Sequence, residues 1–512
     1  MKGARSHYDV LILGADLSAV AAGALLARRG FRVIWVRHDA RSARYAWDGL
    51  ELPRRIENAA VLDTPAWNAI AAELSMPPSI RKRLADDGLA GQIVLPHHRI
   101  DIARAPADPL PEFEREFPEL RRPMEELLDR IRRCDTELDQ ALNTEVSWPP
   151  DGFFERRATR NALAQSAMRQ ELIQRDPLGD FPEGHVIRTV MEAPARFALD
   201  SDPDRIDGAQ LARAWGLLFR NSSFVEGGMD GVLRALSERI TQFGGDLRER
   251  DLIDQLCVSG GRIEGLRFAI SGELIGCGVC ISSLEPMNLQ ALTGRAPDRA
   301  LLETLAMHEP TYARYTLNVV LASSGIPPAM AHRSFLILDP RRPLSEENLL
   351  YVERIGEDPQ GRVVLGCHAL LPRAVVDEGA IYLERVRRRV LDALREVVPF
   401  LDSNLLAVDS PHDGLPLEDR TRGTDTLVPA RWNGHAEPMS MVLPRLPDAL
   451  LGLCALPHHG PLRNLYAVHR HVVPGLGEEG ALLTAWNVAR KITKSAPEKE
   501  RLRRELWRKS GN

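Results

Sequence analysis

Residues 8–20 read YDVLILGADLSAV, and the reading of this stretch decides the fold. DVLILG is a short apolar run with β-branched character, as expected of a buried parallel strand. SAVAAGALLARRG follows, rich in Ala and Leu, and closes on Gly30 as a helix-terminating glycine. FRVIWV then reads as a second strand. Strand, tight turn, helix and parallel strand within about 30 residues make the βαβ unit of a dinucleotide-binding fold.

Three glycines usually follow the first strand of such a unit. The first permits the turn, the second lets a diphosphate touch bare backbone, and the third lets helix and strand pack closely. Gly14 holds the first position, Asp16 the second and Ala19 the third. Ala19 is a mild change. Asp16 adds a negative charge facing a dianionic ligand. At an effective dielectric near 20, one like-charge contact at 4 Å costs roughly 4 kcal/mol, or about three decades of affinity. The second strand normally ends in an acid that binds ribose hydroxyls, and that position is Arg37. An arginine accepts no hydrogen bonds. It either pairs with a 2′-phosphate, as in NADP sites, or neutralises Asp16, or points to solvent.

The bulk numbers describe an ordinary globular chain. Its 512 residues exceed one simple core and call for two or three domains. Apolar residues make up 44% and charged residues 27%, and the net charge is only −5. That charge argues against a nucleic-acid partner. Six cysteines in so long a chain are no disulfide framework and point to a reducing cytoplasm. Lys2, Arg5 and the apolar run after them imitate a signal peptide, but Asp9 and Asp16 interrupt that run. No uninterrupted apolar stretch reaches the roughly 18 residues of a spanning helix.

Two later stretches sharpen the reading. Residues 222–268, SSFVEGGMDGVLRALSERITQFGGDLRERDLIDQLCVSGGRIEGLRF, read as a Gly-Gly-Met turn, a long amphipathic helix, and strands joined by a Gly-Gly hairpin. Residues 464–492, NLYAVHRHVVPGLGEEGALLTAWNVARKI, read as a strand, a Pro-Gly-x-Gly loop and a terminal helix. With the opening unit they cover about a quarter of the chain. In order and spacing they resemble the phytoene desaturase branch of the FAD-dependent amine-oxidase and carotenoid-desaturase superfamily. DSPHDG, residues 409–414, resembles that family's Thr-Pro turn ahead of the C-terminal region.

The resemblance implies an FAD site built from Gly14, Asp16, Ala19 and Arg37, from the RERDLIDQL strand passing the adenine at Leu252, and from His469, Arg470, Gly475, Gly477 and Gly480 beneath the flavin. The departures fall on that site. The family has a Gly-Gly-Arg segment near the phosphates, whereas RHDARSARYAWDG has no glycine before Gly49. The family places glycine in the last strand, near the phosphates, whereas YAVHRH gives His469 and Arg470. An imidazole there fills ligand space. Pro474, Gly475, Gly477 and Gly480 are kept, so the loop and the anion-favouring helix N-terminus survive. Arg37, His469 and Arg470 offset Asp16 if they converge.

Other candidates read as structure. CGVC, residues 277–280, has redox or zinc spacing but no second pair, and residues three apart on a strand face opposite sides, which leaves two core thiols. His458, His459, His469 and His471 cluster in sequence, and His469 and His471 share a face if their strand is regular; no metal site is expected. The stretch from Pro111 to Asn143 reads as one or two amphipathic helices broken at Pro118 and Pro123, and YLERVRRRVLDALREVV as another helix. The last 22 residues hold eight Lys or Arg against three Glu, with Leu502, Leu506 and Trp507 grouped. That tail either touches an acidic membrane surface or is a solvated basic end.

The expected architecture is α/β: a discontinuous Rossmann-like FAD/NAD(P)-binding domain with a mixed α+β substrate domain. Residues 1–60, 215–300 and 445–492 build the dinucleotide domain. Residues 61–214, helix-rich, and 301–444, mixed, build the substrate domain, and 493–512 form the tail. Two functions follow from the resemblance. One is a protein whose FAD site is degenerate and which binds a large apolar molecule or a protein partner, as the Rab GDP-dissociation inhibitors use this fold without FAD. The other is an FAD-dependent desaturase or isomerase of an isoprenoid-like molecule, with hydride passing to the flavin. NADP is the lesser cofactor candidate.

Overall fold

The computed structural model describes residues 6–496 except 39–41, 58, 81, 84–88, 143–146, 166–175, 200–205, 221, 222, 225, 226, 250, 298, 346, 377, 378, 422–425, 429–435, 444–452 and 455. Leu502, Leu506 and Trp507 lie outside the described residues, as does part of the RHDARSARYAWDG segment.

The opening strand, Ser6–Leu13, is fully buried from Val10 onward because both faces of its sheet are covered. It runs parallel to Val33–Val36 on one side and to Leu274–Ser282 on the other. Asp246–Arg248 extends the sheet beyond Val33–Val36. Leu465–Ala467 pairs in parallel with the far end of Leu274–Ser282. The hairpin of Ile253–Ser259 and Arg262–Phe268 curls off the near end of that strand. Its turn is Gly260–Gly261, both at positive φ, the geometry that matches strand twist in a two-residue turn. Helices Leu17–Arg28, Gly228–Gln242 and Gly477–Lys494 bury their Ala- and Leu-rich faces on one side of the sheet. Tyr8, Leu11, Ile34, Leu256 and Phe268 fill the other.

A ten-stranded sheet forms the second layer system. Its centre is the 11-residue pairing of Tyr312–Ala322 with Arg362–Pro372. Helix Ala380–Val397 covers one face. Arg121–Leu142, Val186–Ala198 and Gly208–Arg220 cover the other. The molecule is thus a Rossmann-like α/β unit assembled from distant segments, joined to a mixed α+β unit. No helix among the described residues is long and apolar enough to cross a membrane.

Several local expectations change. Pro123 does not break its helix, which runs unbroken over Arg121–Leu142. The proline sits in the first turn, where an amide donor is not needed. RERDLIDQL is not one strand but two, Asp246–Arg248 and Ile253–Ser259, with Leu252 in the connection. The YAVHRH strand stops at Ala467, so His469 and His471 stand on a turn rather than on one strand face. The helix-rich stretch before residue 214 also contributes a hairpin, Leu89–Leu95 with His98–Ala103, whose first strand pairs in parallel with Arg333–Ile337 of the second sheet.

Candidate functional site

The carboxyl ends of the parallel strands define the crevice where ligands bind in open α/β sheets. Gly14 follows the opening strand at φ +102°, and an added Cβ would overlap Ser283 Oγ. Its carbonyl accepts a 2.6 Å hydrogen bond from Trp35 Nε1, which pins the turn to the second strand. Asp16 occupies the N-cap of helix Leu17–Arg28, half-buried, and its side chain makes no capping hydrogen bond. Ala19 is fully buried in that helix. Arg37 donates its amide to the Arg248 carbonyl at 2.9 Å, and its Nε is buried with no hydrogen-bond partner. Arg37 does not pair with Asp16.

A second carboxylate follows the end of the neighbouring strand, and no local sequence pattern marks it. Glu285 lies two residues after Ser283, past the end of the strand next to the opening one. Its Oε2 is 3.1 Å from His471 Nδ1. Partial burial opposes its ionisation, but the hydrogen bond from His471 and the nearby Arg470 hold its carboxyl down at about 2. His469 is buried, and desolvation depresses it to about 3, so the imidazole is neutral. The His469 and His471 rings meet edge-on at 5.6 Å. Arg470 turns away, donating to the Met441 carbonyl at 3.2 Å. Of these three residues, His471 is the one that pairs with Glu285.

The adenine side and the loop side are also specified. Leu252 is 54% exposed, and the next amide, Ile253, donates to His38 Nδ1 at 3.4 Å. Arg44 forms a bidentate pair with Glu57 at 2.8 and 2.7 Å, and Asp230 accepts the amides of Ala43 and Arg44. That knot ties the segment after the second strand to the start of helix Gly228–Gln242. Gly475 donates its amide to the Leu453 carbonyl at 3.0 Å. A Cβ on Gly477 would press on the Ala198 carbonyl, and one on Gly480 would overlap the Val473 carbonyl. The terminal helix starts over a buried hub. Arg213, fully buried, grips Glu479 in bidentate fashion and reaches Asp135 and Asp139 at 2.6 Å each.

Between the two units, Phe197, Phe335, Tyr351 and Arg333 line a cavity of about 50 Å³. A separate apolar cavity of about 300 Å³ lies among Leu256, Leu289, Pro457, Leu462, Leu465 and His469. Cys277 and Cys280 are both buried free thiols, and burial pushes Cys277 up to about 12. Among the described residues no three His, Cys, Asp or Glu side chains group as metal ligands.

The chain has a Rossmann-like α/β fold that is similar in architecture to solved structures of oxidoreductases. An oxidoreductase from Methanosarcina mazei aligns over 94% of this chain and 100% of its own, with TM-score 0.58 and 14% identity. Cyclohexylamine oxidase from Brevibacterium oxydans aligns over 95% and 99%, with TM-score 0.57 and 14% identity. Putrescine oxidase bound to putrescine aligns over 95% and 99%, with TM-score 0.53 and 14% identity. At these identities the likeness is one of fold. No family model matches the chain, and no curated protein does.

Proposed function

We propose that this chain is an FAD-fold protein of the phytoene desaturase-like type whose nucleotide cleft has lost or altered its cofactor and serves a binding role. One observation carries the reading: Asp16 and Glu285 set two carboxylates past the ends of adjacent parallel strands. A diphosphate there needs hydrogen-bond donors and positive charge. Glu285 is held ionised by His471, so it offers acceptors only. The use of the Ile253 amide by His38 supports the same reading on the adenine side. These residues do not fit an ordinary FAD diphosphate, and no redox step is derived through the group. The occupant this reading assigns is a large apolar molecule or a protein partner.

One observation favours the second reading, an active FAD-dependent oxidoreductase acting on an isoprenoid-like molecule. The Asp16 side chain leaves the first amides of helix Leu17–Arg28 uncapped, so an anion retains donors there. Purified protein decides between the two. The first reading expects a colourless protein with no thermal stabilisation by added FAD, where a bound ligand at a hundredfold its Kd adds about 2.7 kcal/mol. It also expects Asp16→Gly with Glu285→Gln to gain FAD affinity. A yellow protein carrying stoichiometric flavin overturns it.

A further inference from the structure

The apolar cavity of about 300 Å³ lies on the sheet face opposite helices Leu17–Arg28 and Gly477–Lys494. The hairpin of Ile253–Ser259 and Arg262–Phe268 frames it, with helices Pro286–Leu292 and Arg299–Met307 and the chain around Pro457. Its walls are Leu256, Ile263, Leu289, Leu462 and Leu465. Among the described residues that line it, none is Lys, Arg, Asp or Glu. An ionised ligand would find no counter-charge there, so the walls select a neutral one.

Two buried imidazoles stand in the same wall: His308, 7% exposed, and His469, 4% exposed. His308 follows helix Arg299–Met307 directly, and its Nδ1 lies 2.5 Å from the Thr304 carbonyl. A carbonyl only accepts, so Nδ1 holds the ring proton. In the neutral ring Nε2 is then a bare acceptor, and it is buried with no hydrogen-bond partner. His469 Nδ1 is likewise buried and unpartnered, on a ring that desolvation keeps neutral. Buried acceptors are paired as a rule, and leaving one unmade is costly. A donor brought in by a ligand removes that cost.

We propose that this cavity binds a small neutral molecule with an apolar body and one hydroxyl, a phenol or an alcohol, which donates to His308 Nε2. The volume sets the size: at the roughly 30 Å³ that a water takes in the liquid, there is room for about ten non-hydrogen atoms. The uncharged walls set the neutrality, and the bare nitrogen sets the need for a donor. A carboxylate fails on charge, and an ether or a ketone fails because it offers acceptors only. The site is distinct from the nucleotide cleft, and the inference is independent of whether that cleft is filled.

The test is titration calorimetry of the full chain with 4-propylphenol, propylbenzene and 4-propylbenzoate. The expected result is saturable binding of 4-propylphenol, about tenfold weaker binding of propylbenzene, and none of 4-propylbenzoate at the same concentrations. His308→Leu should lower the 4-propylphenol affinity about tenfold and leave propylbenzene unchanged, which also shows the cavity intact. His308→Gln keeps an acceptor and should restore most of the loss. Leu289→Trp should fill the space and block both ligands. No saturable binding of 4-propylphenol, equal affinity for it and propylbenzene, or comparable binding of 4-propylbenzoate overturns the proposal. So does a 4-propylphenol affinity unchanged by His308→Leu or by Leu289→Trp. If His308→Leu does not fold, the wild-type preference for the phenol and the Leu289→Trp result still decide.

Discussion

Replacing Arg213 by Met should be the most damaging single change outside the nucleotide turn. The guanidinium is fully buried and bonded to Glu479, Asp135 and Asp139. The change removes one cation and strands three acids unequally. Asp135 and Asp139 keep Arg220, at 2.9 and 2.7 Å. Glu479, with a side chain 1% exposed, loses the partner that neutralises it. Breaking a buried pair by removing one member costs about 3–5 kcal/mol. With two of the three acids still served, the lower end, about 3 kcal/mol, is expected. The assay is urea unfolding followed by tryptophan emission, since Trp215 sits two residues away in the same buried helix. Adding Glu479→Met to Arg213→Met removes the stranded charge and should recover at least about 2 kcal/mol. An Arg213→Met protein within about 1 kcal/mol of wild type, or a double variant no more stable than the single, refutes the reasoning.

Further outcomes follow from the same geometry. Burial depresses His469 and His368 to about 3 and His458 to about 4. The unfolded chain takes up these protons near pH 6.5 while the folded chain does not, so stability is complete above pH 6.5 and falls as the pH drops. Each group contributes a slope of up to about 1.4 kcal/mol per pH unit, and His469→Gln should remove one such share between pH 6 and 4 in acid titrations of unfolding free energy. An unchanged slope would show that His469 is protonated in the fold. Gly14→Ala should cost about 1–3 kcal/mol, from its φ of +102° and from overlap with Ser283 Oγ. Ser283→Gly added to it should relieve the overlap and leave the backbone cost, and a thermal melt that finds Gly14→Ala neutral contradicts the turn geometry.

The opening unit was readable because its signals are local. The apolar run, Gly14, the Ala-rich helix and Gly30 each act within a few residues, and so does the Gly260–Gly261 turn. Pro123 misled because a proline's effect depends on its place within the helix, which the sequence does not mark. The Leu89–Leu95 hairpin could not be assigned to the second sheet, since its partner Arg333–Ile337 lies far along the chain and no short-range pattern encodes that pairing. At the candidate site, Asp16 and Arg37 were visible as departures from a spacing rule. Glu285 and His38 were not, because their roles arise only when separate strand ends meet. Arg213 was hidden for a related reason: an arginine on an amphipathic helix reads as a solvated face until the helix that carries Glu479 is laid across it.

The opening and terminal helices are packed face to face, and Arg29 Nη1 reaches Thr493 Oγ1 across 464 residues of chain. During synthesis the first helix therefore emerges long before its companion exists. Its Ala- and Leu-rich side must wait, uncovered, until Gly477–Lys494 has been made. Loss of that later helix would leave the early segment permanently wet, so a chain that stops before Gly477 should be insoluble rather than a shortened working protein.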